Sequence, residues 1–418
     1  MSGDSVNAAA VAQGARAESI DTVLRGPWSW IGRKSRSIGL QRLDLVLPSG
    51  RRLELGVGGG AVPLVRLANW SAVVALLRRG SIGFAEAYME GSIETDDLAG
   101  LFEYFSRNEA ALLRLLPTFN RTTYRDRVYH LRRRNTRRGS RRNIAAHYDL
   151  GNSFYKRWLD ESMLYSSGIY RSAEDTLESA QQEKLKAIFG ALDIRPGSSV
   201  MEIGCGWGTV AVGMAKAGAR VRAITISAEQ QDWARKSVAE HGVEDLVDVV
   251  FEDYRDTAGM FDRIVSIEMI EAVGEENWPR YFETLYERLA PGGSAVIQAI
   301  TIAPDLYDRY RRNPDFIQRY VFPGGMLPTV DHMRRNAHWA GLTFETVEEF
   351  GRSYERTLAD WRVRFEAAWP EISALGYDER FRRLWRYYLV YCEIGFRQGS
   401  VNVGLYRISK PAGQGTSS

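Results

Sequence analysis

Two cysteines in 418 residues, Cys205 and Cys392, are too few and too far apart for a disulfide framework, and no CxxC or Cys/His ligand spacing marks a zinc site. The chain is therefore expected in a reducing cytoplasm, with no metal. No stretch approaches the roughly 18 uninterrupted apolar residues of a spanning helix, so any membrane is met from its surface. Residues 1–22 are rich in Ala, Ser, Gly and Gln, with neither a basic start nor an apolar stretch, and read as a disordered leader rather than a signal peptide. An excess of one charge is also missing. The 55 basic and 52 acidic side chains leave a formal charge of +3, so electrostatic targeting has to come from local clusters. Lysine is scarce, seven of the 55 basic residues, but a GC-rich genome gives the same bias and the count decides nothing.

What is present is the composition of a globular protein, 44% hydrophobic, 11% aromatic and 26% charged, which excludes disordered and collagen-like chains. At about 150 residues per domain the length allows two or three domains. Residues 23–120 alternate short extended pieces (Leu43–Leu47, Leu53–Gly56) with helical patterns (Ser71–Leu77, Leu98–Phe105) and read as a small, mainly helical mixed domain. Arg121–Arg142 carries ten arginines against one acid, Asp126, interleaved with Tyr124 and Tyr129. It reads either as a solvated linker or as a grip on an anionic surface, with phospholipid ahead of nucleic acid, because guanidinium groups hold phosphate in bidentate fashion.

Residues 143–410 read as a larger domain in which helix and strand alternate regularly. Strands are expected at Ser199–Ile203, Val221–Ile226, Val247–Glu252, Phe261–Ile267 and Gly293–Ile300, with helices at Ser179–Leu192, Thr209–Lys216, Ala228–His241 and Trp278–Leu289. Two further strands follow, near Leu342–Glu348 and Val401–Ile408. Continuous apolar strands in βα units imply a mostly parallel sheet with helices on both faces, and a site at the carboxyl ends of its strands. An aromatic, arginine-rich insertion occupies about 301–340, and aromatic side chains crowd the helices after it.

The first strand ends in Glu202-Ile203-Gly204-Cys205-Gly206-Trp207-Gly208. Glycines there let the backbone turn tightly and approach a ligand. GxGxG alone suits NAD, FAD or S-adenosylmethionine, but a dinucleotide fingerprint wants GxGxxG and an acid about 20 residues on. Here position 209 is Thr and the second strand ends in Thr225-Ile226-Ser227. Glu202, just before the loop, suits the cationic amino-acid end of S-adenosylmethionine. Asp253 and Tyr254 close the third strand, where they either border an adenine or serve as a cap and salt bridge. Cys205 reads as a small filler between glycines.

Several long motifs, in order, carry a resemblance. They are NIAAHYDLGNSFYKRWLDESMLYSSGIY from Asn143, the EIGCGWG loop, ITISAEQ from Ile224, SIEMIEAVGEENWPRYF from Ser266, FIQRYVFPGGMLP from Phe316 and YYLVYCEIGF from Tyr387. Together they resemble the cyclopropane-fatty-acyl-phospholipid synthases and the related mycolic acid cyclopropane synthases, with a looser match through FAEAYMEGSIETDDL in the N-terminal domain. The resemblance implies a Rossmann-like class I methyltransferase fold with a seven-stranded sheet. It also implies transfer of the methyl of S-adenosylmethionine to a cis double bond of a membrane lipid, through a carbocation that loses a proton to close a ring. By motif, Tyr165 and Ser166 would contact the cofactor, Gly204 and Gly206 its amino-acid end, and Thr225 and Gln230 its ribose region. In that family a bound bicarbonate takes the proton. Glu271, Tyr388 and the backbone of Ile300 match its ligands, whereas Ser167 stands where the family has Cys and Gln298 where it has His. Ser and Gln still donate hydrogen bonds, but a weakened anion site would give a methyl- or methylene-branched product instead of a ring. A homodimer is implied by the family alone. His147, in the AHYDLG motif, is either structural or catalytic.

The reading is a cytoplasmic methyltransferase, peripheral to the inner face of the membrane, that acts on unsaturated phospholipid acyl chains. Its rivals are a catalytically silent lipid-surface binding protein, a small-molecule methyltransferase and, through the arginine segment, a nucleic-acid binder. Aromatic faces near the site would steady a cation, although most of those rings are expected to be ordinary core.

Overall fold

Short amphipathic segments joined by glycine turns build the first part of the chain. The computed structural model describes residues 17–117, 135–137, 139–140 and 150–412. Residues 1–16 of the leader, most of Arg121–Arg142 and His147 lie outside the described residues, and so do the expectations placed on them; residues 17–22, expected as part of the disordered leader, are instead helical. Two compact units divide the chain: the first is Met1–Arg127, Asn313–Phe316 and Tyr377–Ile394, and the second is Val128–Arg312, Ile317–Gly376 and Gly395–Ser418. Neither is continuous in sequence. Residues 377–394, expected within the larger domain, group with the first unit.

In the first unit, strands β1 (Leu43–Val46), β2 (Arg52–Leu55), β3 (Leu64–Leu67) and β4 (Ile93–Thr95) form a sheet in the order β2-β1-β3-β4. β1 is antiparallel to β2 and parallel to β3. Helices Arg25–Ser37, Ser71–Met89, Leu98–Arg107 and Glu109–Leu115 accompany the sheet. The helix expected over Ser71–Leu77 continues to Met89 across a kink at Gly80, whose φ of 54° and ψ of −130° are open to glycine. Tyr387 completes the aromatic core, with its ring 4.9 Å from Phe102 and 4.4 Å from Phe316. Strands β3 and β4 span four and three residues, too short to show a period in the sequence.

The second unit is a seven-stranded sheet of β5 (Ser199–Ile203), β6 (Arg220–Thr225), β7 (Val247–Phe251), β8 (Phe261–Ile267), β9 (Leu289–Ile302), β10 (Thr343–Glu349) and β11 (Val401–Ser409), in the order β10-β11-β9-β8-β5-β6-β7. Strands β5 to β9 pair in parallel, and β11 runs antiparallel to both β9 and β10. The covering helices include Leu177–Leu192, Thr209–Lys216, Ala228–Glu240 and Trp278–Arg288. Trp278, Tyr281, Phe282 and Leu285 follow i, i+3, i+4, i+7 spacing and are all buried, each contributing roughly 1.5–3 kcal/mol. In the insertion, Tyr307 is buried with its ring 4.2 Å from His332. The chain leaves β5 toward β6 and β7, then returns on the other side through β8. The carboxyl end of β5 is thus the point where the strand order reverses and a ligand crevice opens.

Candidate active site

Strand β5 is paired on both edges, so Val200, Met201 and Ile203 are buried, and Glu202 is buried with them. Burial pushes its carboxyl up to about 8, against a small opposing pull from the Ala211 backbone. Its Oε2 meets no hydrogen-bond donor among the described residues. After it the chain passes through three left-handed glycines, Gly204 at φ 80°, Gly206 at 52° and Gly208 at 91°. The N–H groups of Gly204 and Cys205 both donate to the Ile224 carbonyl at 3.0 Å, which pins the loop to β6. A Cβ at Gly208 would sit 3.1 Å from that of Ala234, whereas one at Gly206 would meet nothing within 4 Å. The loop is closed toward the helix Ala228–Glu240 and open over Gly206.

The rim of the crevice is held by local bonds. Thr225 Oγ1 donates to Gln230 Oε1 at 3.0 Å, and Ser227 caps the following helix by accepting from the Gln230 N–H. Asp253 is committed to Arg255: Nε donates to Oδ1 at 2.8 Å and Nη2 to Oδ2 at 2.6 Å. Of the two roles read from the sequence, this geometry carries the salt bridge. Arg255 Nη1 also donates to the Asn135 carbonyl at 3.2 Å, and Tyr254 lies buried with its ring edge-on to Tyr281.

At the ends of β8 and β9 the side chains meet from four separate segments. Glu268 Oε1 accepts from the Ser167 N–H at 2.9 Å and from Gln298 Nε2 at 2.8 Å, and its Oε2 accepts from the Tyr354 hydroxyl at 2.7 Å. Gln298 Nε2 also donates to the Ser167 carbonyl at 3.3 Å, and the Ser167 hydroxyl donates to the Gly168 carbonyl at 2.8 Å. Glu268 holds φ at 48°, a left-handed conformation costing a non-glycine residue roughly 1–2 kcal/mol. Burial raises its carboxyl, opposed by the Tyr354 and Ser167 donors and by Lys184. Three residues on, Glu271 Oε1 accepts from the Ile300 N–H, while its buried Oε2 is unengaged. Burial, then the negative charge of Glu268, push Glu271 up to about 8. Lys184, fully buried, donates to Ser166 Oγ at 2.7 Å and is pulled down to about 8 by burial.

The family model of mycolic acid cyclopropane synthetase matches residues 135–405. The chain belongs to this family. It is 38% identical over 357 residues to the cyclopropane-fatty-acyl-phospholipid synthase of Escherichia coli, covering 84% of this chain and 89% of that one. It is also 38% identical over 342 residues to the tuberculostearic acid methyltransferase UfaA1 of Mycobacterium tuberculosis, covering 78% of each. Among solved structures it resembles mycolic acid cyclopropane synthase CmaA1 complexed with SAH and CTAB, at 28% identity and a TM-score of 0.61, over 65% of this chain and 98% of that one. The fold is that of a class I methyltransferase and the donor is S-adenosylmethionine.

Two groups implied by the family can be tested against these residues. S-adenosylmethionine fits: Glu202 offers a buried, unengaged oxygen to a cation, and the space over Gly206 is open to a ligand. Bicarbonate does not. The Ser167 hydroxyl and the Gln298 amide, expected as its donors, are already given to Gly168 and Glu268, and a second anion beside the Glu268 carboxylate would be costly. Among the described residues, no group of His, Cys, Asp and Glu is arranged to hold a metal ion.

Aromatic rings run from the glycine loop to these carboxylates. Tyr155 lies 5.2 Å from Trp207 and 5.3 Å from Tyr165; Trp361 lies 5.2 Å from Tyr165 and 6.0 Å from Tyr354, which holds Glu268. Tyr388 is buried in the first unit with its ring 5.2 Å from Trp385, while Glu271 and Ile300 belong to the second. Three residues of the site escaped the sequence reading: Glu268, Tyr354 and Lys184. Lys184 had a signal, since with Gln181 it falls on the buried stripe Leu177, Ala180, Ile188, Leu192, where a polar side chain calls for an internal partner.

Proposed function

We propose that the protein transfers the methyl carbon of S-adenosylmethionine to the cis double bond of an unsaturated phospholipid acyl chain, with a cyclopropane fatty acid as product. S-adenosylmethionine, when bound, supplies an electrophilic methyl on a sulfonium. Glu202, Gly204 and Gly206 would receive the cationic amino-acid end, Thr225 and Gln230 the ribose region and Tyr254 the adenine, with Tyr165 and Ser166 also in contact with the cofactor. The cluster of Tyr155, Tyr165, Trp361 and Tyr354 makes this side of the site apolar, and aromatic faces there would steady a developing cation. The observation that carries the reading is the juxtaposition, in one unit, of a buried unengaged acid beside an open glycine turn with a desolvated carboxylate pair at the next strand end.

Incubation of the protein with methyl-labelled cofactor and vesicles of unsaturated phospholipid tests it. Label in acyl chains is expected, and label absent from lipid would overturn the substrate assignment. A second reading, a methyl- or methylene-branched product, is favoured by Gln298 and Ser167 being turned to Glu268 instead of to a bound anion. Mass spectrometry of the acyl product after hydrogenation separates ring from branch.

Lipid access is proposed from the cytoplasmic face. No helix of the described residues is long and apolar enough to cross a membrane. The ten arginines against one acid in Arg121–Arg142 would grip anionic headgroups. Replacing Arg132, Arg133 and Arg134 with Gln should weaken binding to anionic vesicles by about 1 kcal/mol per residue and leave binding to neutral ones unchanged, as sedimentation would measure.

A further inference from the structure

The hydrogen bonds around Glu268 form a built anion site whose anion belongs to the chain. The Ser167 N–H, Gln298 Nε2 and Tyr354 hydroxyl, from three different segments, converge on one carboxylate. That carboxylate stands on a residue at φ 48°, where glycine would be unstrained. A glutamate held there against its backbone preference, and supplied with three donors, is an outlier that asks for a role.

We propose that Glu268 is the proton acceptor of the reaction, a side-chain carboxylate doing what a bound bicarbonate would otherwise do. The inference rests on the lipid methyltransferase reading and deepens it. In the step, the alkene π pair forms a bond to the methyl carbon as the carbon–sulfur bond breaks and its electrons remain on sulfur. The resulting cation loses a proton to the Glu268 carboxylate, and the released C–H pair closes the ring or forms a new double bond. Glu268 becomes a neutral acid and passes the proton on between turnovers. The charged and titratable groups facing it are Lys184 from the helix Leu177–Leu192, Tyr354 from the helix Gly351–Ala367 and Glu271 on its own loop. The three donors and Lys184 favour its ionised form. Glu271, with one backbone donor and the Glu268 charge beside it, is the carboxyl that stays protonated at neutral pH.

The test measures methyl transfer to unsaturated phospholipid vesicles in buffer stripped of carbon dioxide and in buffer with added bicarbonate. The wild type is expected to be equally active in both. Glu268→Gly, which relaxes the strained backbone and opens the space, is expected to lose at least about 100-fold in the stripped buffer and to recover at least about tenfold with bicarbonate. Its melting temperature should not fall, and its affinity for S-adenosylmethionine by calorimetry should stay within about threefold of wild type. Glu268→Gln, which fills the space with a neutral amide, should lose activity without recovery. A wild type that needs bicarbonate, or a Glu268→Gly variant as active as wild type in stripped buffer, overturns the assignment. A wild type that labels no lipid in either buffer overturns the function reading instead.

Discussion

Glu202, buried, and Glu268, half-buried, stand at the ends of neighbouring parallel strands, yet one leaves an oxygen unengaged and the other has both oxygens engaged by three donors. An unengaged buried carboxyl is costly, and its raised pKa shows that the chain holds it largely neutral until a cation arrives. At Glu268 burial also raises the carboxyl, but three donors and Lys184 oppose it and ease the group toward its charged form, so its oxygens are already committed within the chain. The cofactor half of the site is thus incomplete without its ligand, and the carboxylate half is complete within the chain.

Four experiments would break or sharpen that contrast, the first with the largest effect. Gly206→Val places a side chain in the open space at a φ of 52°. The dissociation constant for S-adenosylmethionine should rise by at least about 100-fold in calorimetry. Glu202→Gln should raise it about tenfold. At pH 7, moreover, wild type should release about one proton on binding, because a cation lowers a carboxyl that stands near 8 in the free protein, and the variant should release none. Both would be read from binding enthalpies in buffers of different ionisation heat. If Glu202→Gln binds as tightly as wild type, the contrast fails on the cofactor side.

On the other side, Tyr354→Phe removes one donor from Glu268. Loss of a donor to the ionised form raises the carboxyl, so the acid limb of the pH–rate profile should move to higher pH while turnover falls about fivefold. Lys184 gives the smallest effect. Its pKa falls on folding from its usual value to about 8, so the unfolded chain binds the extra proton and this contribution to stability grows as pH rises above 8. Between pH 8 and 9 wild type should gain about 1 kcal/mol more than Lys184→Met in denaturant titration.

What was legible in the sequence was what is local. Strands β5 to β9 fall within a few residues of the expected bounds because buried parallel strands read as largely apolar runs between helices. The glycine loop announced itself in seven consecutive residues, Glu202 to Gly208. The carboxylate network did not, since its members come from positions 167, 184, 268, 298 and 354, and only folding brings them together. Glu271 was found through its motif, while Glu268, three residues earlier in the same motif, carried no sign that its backbone would turn left-handed. Asp253 illustrates the reverse: its partner Arg255 lies two residues away, and the ion pair could be read from the sequence as one of two roles.

The interleaving of the first unit sets a timetable for synthesis. Its last pieces, Tyr377–Ile394, leave the ribosome some 250 residues after Arg127. At roughly 5–20 residues per second, the nascent amino-terminal segment waits tens of seconds with the place of Tyr387 unfilled. A fragment ending at residue 127 would therefore keep the Phe105 ring beside Phe102 but lack that of Tyr387, and a premature stop anywhere before residue 377 would leave the first unit without its last segment.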